Sequence, residues 1–404
     1  MAQLDQIEQF NNGNLFPETY VDTYIATKHI AREALSIPEE VLTKLKDKIA
    51  EKGLYFGDES VLREIVTGLV KGNIILQGPP GTGKTTLAKI LCEVFETNYD
   101  EVTAIADWTT YDTIGGLQPA ADESGHEVLA GKNGCVVESI IHCCDSVAQN
   151  LHYDGKKQAN WLILDELNRC EIDKAFGELF TALGSDSSDS LKSIRLWYEG
   201  DENKKRIYIP NRYRIIGAMN NIDKNFVYDI SQGLSRRFTF VEILPPEEEY
   251  FDGEVENAKK QAQKRVKEKI ESYGKIKVDD AFFYQIGENA TMAVAERVLK
   301  EFIRHLRYTR SEDEAFLGLA IGTAQIIDAY ETVYISLIMG EYDINVAKKE
   351  DLLSIIDSVV SSRILPQVDG YDYLKLSGFY KAVSQNSEFS SLNKTKTALY
   401  KYCH

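Results

Sequence analysis

The sequence predicts an α/β fold, a parallel sheet flanked by helices, followed by an α-helical domain. Three observations predict it. Apolar runs at 73–77, 161–164 and 213–219 read as buried strands, and each ends in polar residues. A Gly-rich loop leads from the first strand into residues 86–95, which have helical spacing. Beyond residue 245, apolar residues recur mainly with helical spacing. We therefore expect a helical lead-in at 1–54, an α/β domain at 55–245 and a helical domain at 246–404.

The Gly-rich loop at 78–85 is the strongest sign of a binding site. It fits the pattern G-x-x-x-x-G-K-[ST], and a strand and a helix flank it as that motif requires. Its glycines let consecutive N–H groups turn inward at the positive end of the helix, where they form an anion site. Lys84 is expected to reach the β and γ phosphates of a nucleotide, and Thr85 to place its hydroxyl on Mg²⁺. The predicted nucleotide-binding residues are Gly78, Pro79, Pro80, Gly81, Thr82, Gly83, Lys84, Thr85 and Thr86.

Two carboxylates follow the apolar run at 161–164. Asp165 and Glu166 come directly after Trp161–Leu164. Ligands bind outside the carboxyl ends of strands in open α/β sheets, so both side chains should face the phosphate loop. Asp165 is expected to hold Mg²⁺, generally through water, and Glu166 to polarise the attacking water. A pair that merely caps the next helix is the alternative.

Further polar residues follow the apolar run at 213–219. Asn220 is placed to hydrogen-bond the γ-phosphate or the attacking water, although a turn amide bonding its own backbone is the alternative. Arg236 and Arg237 precede another strand, at 238–243. Arginine pairs usually have a phosphate or carboxylate partner, so in a ring these two could reach the neighbouring subunit's site. A surface ion pair is the other interpretation. The predicted catalytic residues are therefore Glu166, Asn220, Arg236 and Arg237.

Two segments read as insertions into the α/β domain. One contains a predicted hairpin at 126–135, after a predicted second strand at 102–105 and before a helix from about Val136. The other is a predicted hairpin at 192–210. Its basic and aromatic residues could touch a threaded substrate, or it could be a solvated hairpin with one packed face.

The order of these motifs resembles that of AAA+ ATPases, and in particular the McrB family, the NTP-driven motors of modified-DNA restriction systems. The resemblance covers residues 55–245 well and the rest loosely. It rests on 78–85, on Leu164-Asp165-Glu166-Leu167-Asn168-Arg169, on Met219-Asn220-Asn221-Ile222-Asp223 and on Leu234-Ser235-Arg236-Arg237-Phe238. The leads into the two insertions are also similar. The family more often has Thr and Arg where this chain has Asn221 and Lys224.

The resemblance implies a P-loop NTPase with Mg²⁺ as cofactor, assembled as a homo-oligomeric, hexameric ring. It also implies a separate McrC-like nuclease partner, contact with DNA through the ring, and a role in restriction and antiviral defence. ATP and GTP both remain open as the nucleotide, with ATP preferred because most AAA+ proteins use it. A lid residue called sensor 2 is expected near 316–323, where no arginine lies.

Composition limits the other possibilities. No run approaches 18 consecutive apolar residues and the first residues lack a signal-peptide pattern, so we expect a cytoplasmic protein without a membrane segment. Six cysteines without paired metal spacing indicate reduced thiols, and His142-Cys143-Cys144 reads as packed on a helix rather than as a metal site.

The net charge of −17 repels DNA on average, so any nucleic-acid contact needs a local basic surface or a partner. The acidic surface, and the lack of room in about sixty leading residues for the DNA-reading domain common in that family, favour an alternative: a MoxR-like ATPase that remodels protein partners. The basic helix predicted at 256–271 reads as a solvated face rather than a nucleic-acid patch.

Overall fold

The computed structural model describes residues 28, 30–121, 125–152, 155–184, 191–200, 205–220, 232–272, 280–310, 314–340 and 348–403. These residues fall into two compact units. The first unit comprises the described parts of Met1–Ile49, Glu59–Gly78 and Lys84–Ile243. The second comprises Ala50–Asp58, Pro79–Gly83 and the described parts of Leu244–His404.

The first unit is built on a parallel sheet. The strands of the described chain are β1 (Asn73–Gly78), β2 (Asn98–Thr103), β3 (Gly115–Ala121), β4 (Glu127–Asn133), β5 (Asn160–Asp165), β6 (Ser193–Arg195), β7 (Arg206–Tyr208), β8 (Ile215–Asn220) and β9 (Phe238–Glu242). Five of them form the sheet in the order β2-β5-β8-β1-β9, and all its pairings are parallel. The predicted α/β fold is therefore confirmed.

Burial along the strands follows their place in the sheet. In β5 and β8 the first five residues are buried, as expected for inner strands covered on both faces. The edge strand β2 has no buried residue, and it begins at Asn98 rather than at the predicted Val102. The prediction placed this strand at 102–105 because it looked for apolar residues, whereas an edge strand does not need a continuous apolar sequence. Trp161 of β5 is fully buried and its ring centroid lies 5.3 Å from that of Phe95.

The first unit also contains α-helices, some of which pack on this sheet. They are α1 (Val41–Glu51, of which the last two residues group with the second unit), α2 (Ser60–Lys71), α3 (Lys84–Val94), α4 (Thr110–Thr113), α5 (Cys135–His152), α6 (Ile172–Leu183) and α7 (Gln232–Ser235). The α2 helix packs on β1 and β9, whereas α5 packs on β2 and β5. The expected start of α5 near Val136 differs from the observed start by one residue.

Both predicted insertions form antiparallel hairpins. The β3–β4 pair runs from Gly115 to Asn133, so the first hairpin begins well before the predicted His126. The β6–β7 pair lies within 192–210 as predicted. The two insertions are joined by the buried Tyr198, whose hydroxyl oxygen lies within hydrogen-bond distance of two oxygens, the Ile114 carbonyl at 3.0 Å and Asn133 Oδ1 at 2.7 Å. Trp197 beside it is 57% exposed.

The second unit is mainly helical. Its helices are α8 (Phe251–Ser272), α9 (Asp280–Glu288), α10 (Ala290–Arg307), α11 (Thr323–Met339), α12 (Lys349–Val359), α13 (Tyr373–Gln385) and α14 (Asn393–Tyr402). Apolar residues recur with helical spacing from 316 onward, but α11 begins only at Thr323, because the chain turns at Gly318 with φ of 77°. The core of the helical unit includes the ring of Phe302. The centroid of this ring lies 5.6 Å from that of Phe389 and 6.1 Å from that of Phe379.

A buried ion pair lies inside this helical unit. Glu254 of α8 and Arg307 of α10 are 0% and 2% exposed at their side chains, and Glu254 also accepts a hydrogen bond from the Thr323 hydroxyl at the start of α11. These contacts tie three helices together. Removing one partner would leave the other charge buried and unpaired.

The cysteines and the helix lengths bear on two of the earlier expectations. Cys143 and Cys144 are buried in α5, and loss of hydration raises the thiol pKa of Cys143 to about 12 and that of Cys144 well above its usual value. Both thiols are therefore protonated at neutral pH. Within the described ranges, no helix is both long and apolar enough to cross a membrane.

Candidate nucleotide-binding and hydrolysis site

The loop after β1 has the backbone conformation that its glycines predict. Gly81 and Gly83 have φ of 79° and 84°, a region that residues with a side chain rarely adopt. The Thr82 hydroxyl donates to the Pro79 carbonyl oxygen at 3.1 Å, which helps hold the loop closed. Lys84 is the first residue of α3, so the loop ends at a helix N-terminus. This is the geometry of a phosphate-binding loop.

The side chain of Lys84 is buried and points back along the loop. Its Nζ donates to the Gly78 carbonyl oxygen at 3.1 Å and to Asn220 Oδ1 at 2.8 Å. Burial lowers the pKa of Lys84 to about 8, and the negative charges of Glu166 and Asp165 only partly oppose that effect. Because burial destabilises the charged form of Lys84, its ammonium is strongly stabilised by the negative charge of a bound polyphosphate.

Thr85 and Asp165 meet at the end of β5. The Thr85 hydroxyl donates to Asp165 Oδ2 at 2.9 Å, which brings a hydroxyl oxygen and a carboxylate together beside the phosphate loop. Hard oxygen donors of this kind suit Mg²⁺, which is usually held by one or two protein oxygens together with nucleotide phosphates. The residues present therefore fit the predicted metal. Thr86, also in the predicted set, is exposed on α3.

Glu166 is held in an uncommon backbone conformation. Its φ and ψ are 53° and 35°, the left-handed region, which costs a non-glycine residue about 1 kcal/mol or more. Its N–H donates to Asp165 Oδ1 at 2.9 Å. Its carboxylate accepts from Asn220 Nδ2 at 2.7 Å and from Arg169 Nε at 3.2 Å. The turn thus directs the carboxylate toward the end of β8. A residue that merely capped the next helix would direct its carboxylate toward that helix.

Asn220 connects the lysine to the glutamate. One end of its amide accepts from Lys84 and the other donates to Glu166, so three residues distant in sequence form one polar chain. Its amide therefore bonds side chains from two other elements, as the catalytic interpretation requires. Asn221 and Asp223, which carried part of the resemblance, and Lys224, where the chain departs from the family pattern, lie outside the described residues.

Sequence reasoning assigned no role to Asn168 and Arg169. Asn168 is 2% exposed, and its Nδ2 donates to the Asn220 carbonyl oxygen at 2.8 Å, while its Oδ1 accepts from the Asn220 N–H at 3.4 Å. The side chain acts like an extra peptide group that extends the pairing of β5 with β8. The only sequence signal was position: both residues follow Asp165 within four positions, on the turn that carries Glu166.

Comparison with known proteins agrees with this geometry. Residues 73–238 match the family described as AAA domain (dynein-related subfamily), and this range contains the loop, both carboxylates and Asn220. Residues 73–238 are thus similar to an AAA domain. With its phosphate loop and parallel sheet, this segment has the fold of a P-loop nucleotide-binding domain.

Individual relatives cover only part of the chain. The McrB subunit of the type IV methyl-directed restriction enzyme EcoKMcrB of Escherichia coli (strain K12) is 32% identical over 196 residues, 46% of this chain and 38% of McrB. The uncharacterized protein YojN of Bacillus subtilis (strain 168) is 25% identical over 39% of this chain and 46% of its own length. The chain thus spans less than half of each of these relatives.

Solved structures resemble the chain more weakly. A RuvB mutant from Thermotoga maritima overlaps 81% of this chain and 76% of its own, with 15% identity and a TM-score of 0.40. A likeness of that size does not bear on function.

The two arginines lie at the other end of the AAA sheet. Phe238, the residue after Arg237, pairs with Asn73, the first residue of β1, and the strands run in parallel. The phosphate loop follows the last residue of β1, so five residues of strand, about 16 Å, separate the two ends. The structure therefore brings Lys84, Thr85, Asp165, Glu166 and Asn220 together, but not Arg236 and Arg237.

The environments of the two arginines differ. The Arg237 guanidinium donates to the carbonyl oxygens of Phe180 and Gly233, and it lies 5.5 Å from the centre of the Phe180 ring. These bonds fix the end of α6 to the turn before β9. Arg236 is exposed. Of the pair, Arg236 is the one positioned to reach outside its own chain.

Proposed function

We propose that the chain is the Mg²⁺-dependent NTPase subunit of a McrB-like homo-oligomeric ring, which drives DNA translocation for a separate McrC-like nuclease in restriction and antiviral defence. The observation that carries the ring is the position of Arg236. It is exposed and lies at the end of the sheet away from the carboxyl end of β1, too far from Lys84 and Glu166 of its own chain to act there, so a second copy's site is its proposed target. A hexamer is the proposed ring, as the resemblance implies.

The residues of the site divide the work of hydrolysis. Lys84 binds the β and γ phosphates, and Thr85 and Asp165 are the residues that would hold Mg²⁺. Bound Mg²⁺ supplies charge neutralisation on the phosphate oxygens. Glu166 accepts the proton of the attacking water, and Asn220 orients either that water or the γ-phosphate.

The same contacts suggest what changes when nucleotide enters. In the structure, Asn220 is shared between Lys84 and Glu166 at 2.8 Å and 2.7 Å. A γ-phosphate is a stronger partner for an ammonium than a neutral amide is, so Lys84 transfers to it. Asn220 and Glu166 are then available to the phosphate and the water. Hydrolysis thereby depends on a filled site.

The DNA and nuclease parts of the proposal are supported by the similarity to McrB, whose name describes a subunit of a methyl-directed restriction enzyme. ATP is the proposed nucleotide and GTP the second choice. The proposed place of action is the cytoplasm.

The test is turnover by the purified protein with ATP and with GTP, each with and without duplex DNA. We expect Mg²⁺-dependent turnover that a McrC-like nuclease encoded beside the gene stimulates. Glu166→Gln should bind nucleotide but hardly hydrolyse it, whereas the exposed Glu171→Gln serves as a control of equal charge change. Normal turnover by the Glu166 variant would refute the assignment.

A MoxR-like remodeller of protein partners is the second candidate. The net charge of −17 favours it, because such a surface repels the phosphate backbone on average. In that case DNA leaves turnover unchanged, and the neighbouring gene encodes a von Willebrand-type protein rather than a nuclease. The same turnover measurements therefore separate the two candidates.

A further inference from the structure

The start of α11 packs against the phosphate loop. Residues 79–83 of the loop belong to the same compact unit as this helix. The Ala324 N–H donates to the Gly81 carbonyl oxygen at 3.0 Å, and Gln325 Nε2 donates to the Pro80 carbonyl oxygen at 3.4 Å. Two successive carbonyl groups of the loop are therefore held by one end of one helix.

Holding these carbonyl groups also sets the direction of the N–H groups that are expected to bind phosphate. A trans peptide group is planar, so its N–H points away from its C=O. A fixed Gly81 carbonyl therefore fixes the Thr82 N–H, and a fixed Pro80 carbonyl fixes the Gly81 N–H. Phosphate loops bind anions through successive N–H groups of this kind. The position of α11 thus determines part of the geometry of the loop.

Thr323, the first residue of α11, connects the loop contact to the buried ion pair of the helical unit. Its hydroxyl donates to Glu254 Oε1. Glu254 is 0% exposed, and the same oxygen accepts from Arg307 Nη2 at 3.1 Å. Because Arg307 offsets the charge of Glu254, the pair acts on α11 by holding its position. Hydrogen bonds to a carboxylate are among the stronger ones in proteins, so loss of the Thr323 hydroxyl should loosen the start of the helix.

We propose that Thr323 is a positioning residue for the phosphate loop. Its bond to Glu254 holds the start of α11 in place, and Ala324 and Gln325 in turn hold the loop. This inference rests on the proposed function, because it takes the loop to bind the phosphates of a nucleotide. It adds a residue outside the phosphate-loop motif that raises nucleotide affinity through the loop.

The test compares two variants that each lose one threonine hydroxyl from α11. Thr323→Val removes the bond to Glu254, whereas Thr332→Val removes a bond from the Thr332 hydroxyl to the Asp328 carbonyl oxygen at 2.8 Å. Both threonines are half-buried, and valine has nearly the same shape. Thr323→Ser keeps the hydroxyl. The Kd of a fluorescent, non-hydrolysable adenine triphosphate analogue is measured with Mg²⁺, at a temperature at which all variants are folded.

We expect Thr323→Val to raise this Kd about 5- to 20-fold, a typical size for coupling between two sites. Thr332→Val and Thr323→Ser should stay within about twofold of the wild type. A general loss of stability would instead raise the Kd in both valine variants alike. An unchanged Kd in Thr323→Val, or equal increases in both valine variants, would overturn the proposal.

A second variant changes the contact between α11 and the loop directly. Gly322 precedes α11 with φ and ψ of −81° and 165°, a conformation that alanine also adopts. A Cβ at this position would lie 2.6 Å from the Gly81 carbonyl oxygen, so Gly322→Ala must move the loop or the helix and should raise the Kd. Gly287→Ala is the control, because a Cβ at Gly287 meets nothing within 4 Å. A wild-type Kd in Gly322→Ala would show that this contact does not set the geometry of the loop.

Hydrogen exchange tests the same contact without nucleotide. The Ala324 N–H is protected by its bond to Gly81, so it should exchange faster in Thr323→Val but not in Thr332→Val. Unchanged exchange in Thr323→Val would overturn the proposal. If exchange changes as expected but the wild type does not bind the analogue, the proposed function fails while the positioning of the loop by Thr323 stands.

Discussion

Nucleotide affinity should fall steeply above pH 8 because of Lys84. Burial lowers the pKa of this lysine from 10.5 to about 8, so its ammonium loses its proton in the free protein at moderately alkaline pH. Bound phosphates stabilise the charged form and restore the higher pKa. Binding above pH 8 therefore requires uptake of a proton, and the apparent Kd rises with pH until the bound state also titrates.

The size of the effect follows from the fraction of protonated lysine. Between pH 7 and pH 9.5 that fraction falls from about 0.9 to about 0.03, which predicts a Kd roughly 30-fold higher, or about 2 kcal/mol. Without nucleotide, the free energy of unfolding should rise with pH, whereas nucleotide affinity falls. The folded pKa lies below the unfolded one, so the cost of burying a charged lysine disappears as pH rises from about 8 to 10.5.

Titration of a fluorescent, non-hydrolysable adenine triphosphate analogue at several pH values measures this Kd, since the adenine base does not titrate in the range. Lys84→Arg provides the control, because arginine keeps its charge throughout and its curve should stay flat. Circular dichroism confirms that the protein remains folded. A wild-type Kd that changes less than threefold between pH 7 and pH 9.5 would show that Lys84 does not titrate as its burial requires.

Four further predictions concern single side chains. Glu166→Gln should lower the turnover number by about 10²- to 10⁴-fold with nearly unchanged nucleotide Kd, measured by phosphate release. Arg236→Ala should reduce turnover by about 10³-fold or more, and adding a Glu166→Gln chain should restore activity in mixed assemblies. Arg237→Ala should instead lower the melting temperature, because two partly buried carbonyl oxygens lose their donor. Glu254→Ala should destabilise the helical unit by about 3–5 kcal/mol in urea unfolding, since Arg307 stays buried without its partner; a decrease below 1 kcal/mol would contradict this.

Much of the nucleotide site could be predicted because its residues follow apolar strands. Lys84, Asp165 and Asn220 each lie at or just beyond the end of a run that only a buried strand explains. Parallel strands bring their carboxyl ends to one edge of a sheet, so three separate positions in the sequence had to converge. The phosphate loop is local, and its pattern needs no tertiary contact to be recognised.

The contacts of Asn168, Arg236 and Arg237 could not be predicted from the sequence. Asn168 bonds the backbone of Asn220, 52 residues away, and no local pattern marks such a contact. Arg236 and Arg237 are alike in the sequence, yet one bonds two carbonyl oxygens across the turn and the other is exposed. The difference depends on where α6 ends, which is a matter of packing.

The elements that were misplaced share one physical cause. The strand at 98–103 lies at a sheet edge and needs few apolar residues, and the run at 316–322 is apolar but turns at Gly318 before α11 begins. In both cases tertiary surroundings decided what an apolar pattern means.

The sequence by itself determined the phosphate loop and the polar residues on which the proposed nucleotide hydrolysis rests, because these are local motifs at or beyond the ends of buried strands. Only the tertiary structure decided how Asn220 joins Lys84 to Glu166 and which of the two arginines is exposed. Those features depend on contacts between residues far apart in the chain, and side-chain packing alone fixes such contacts.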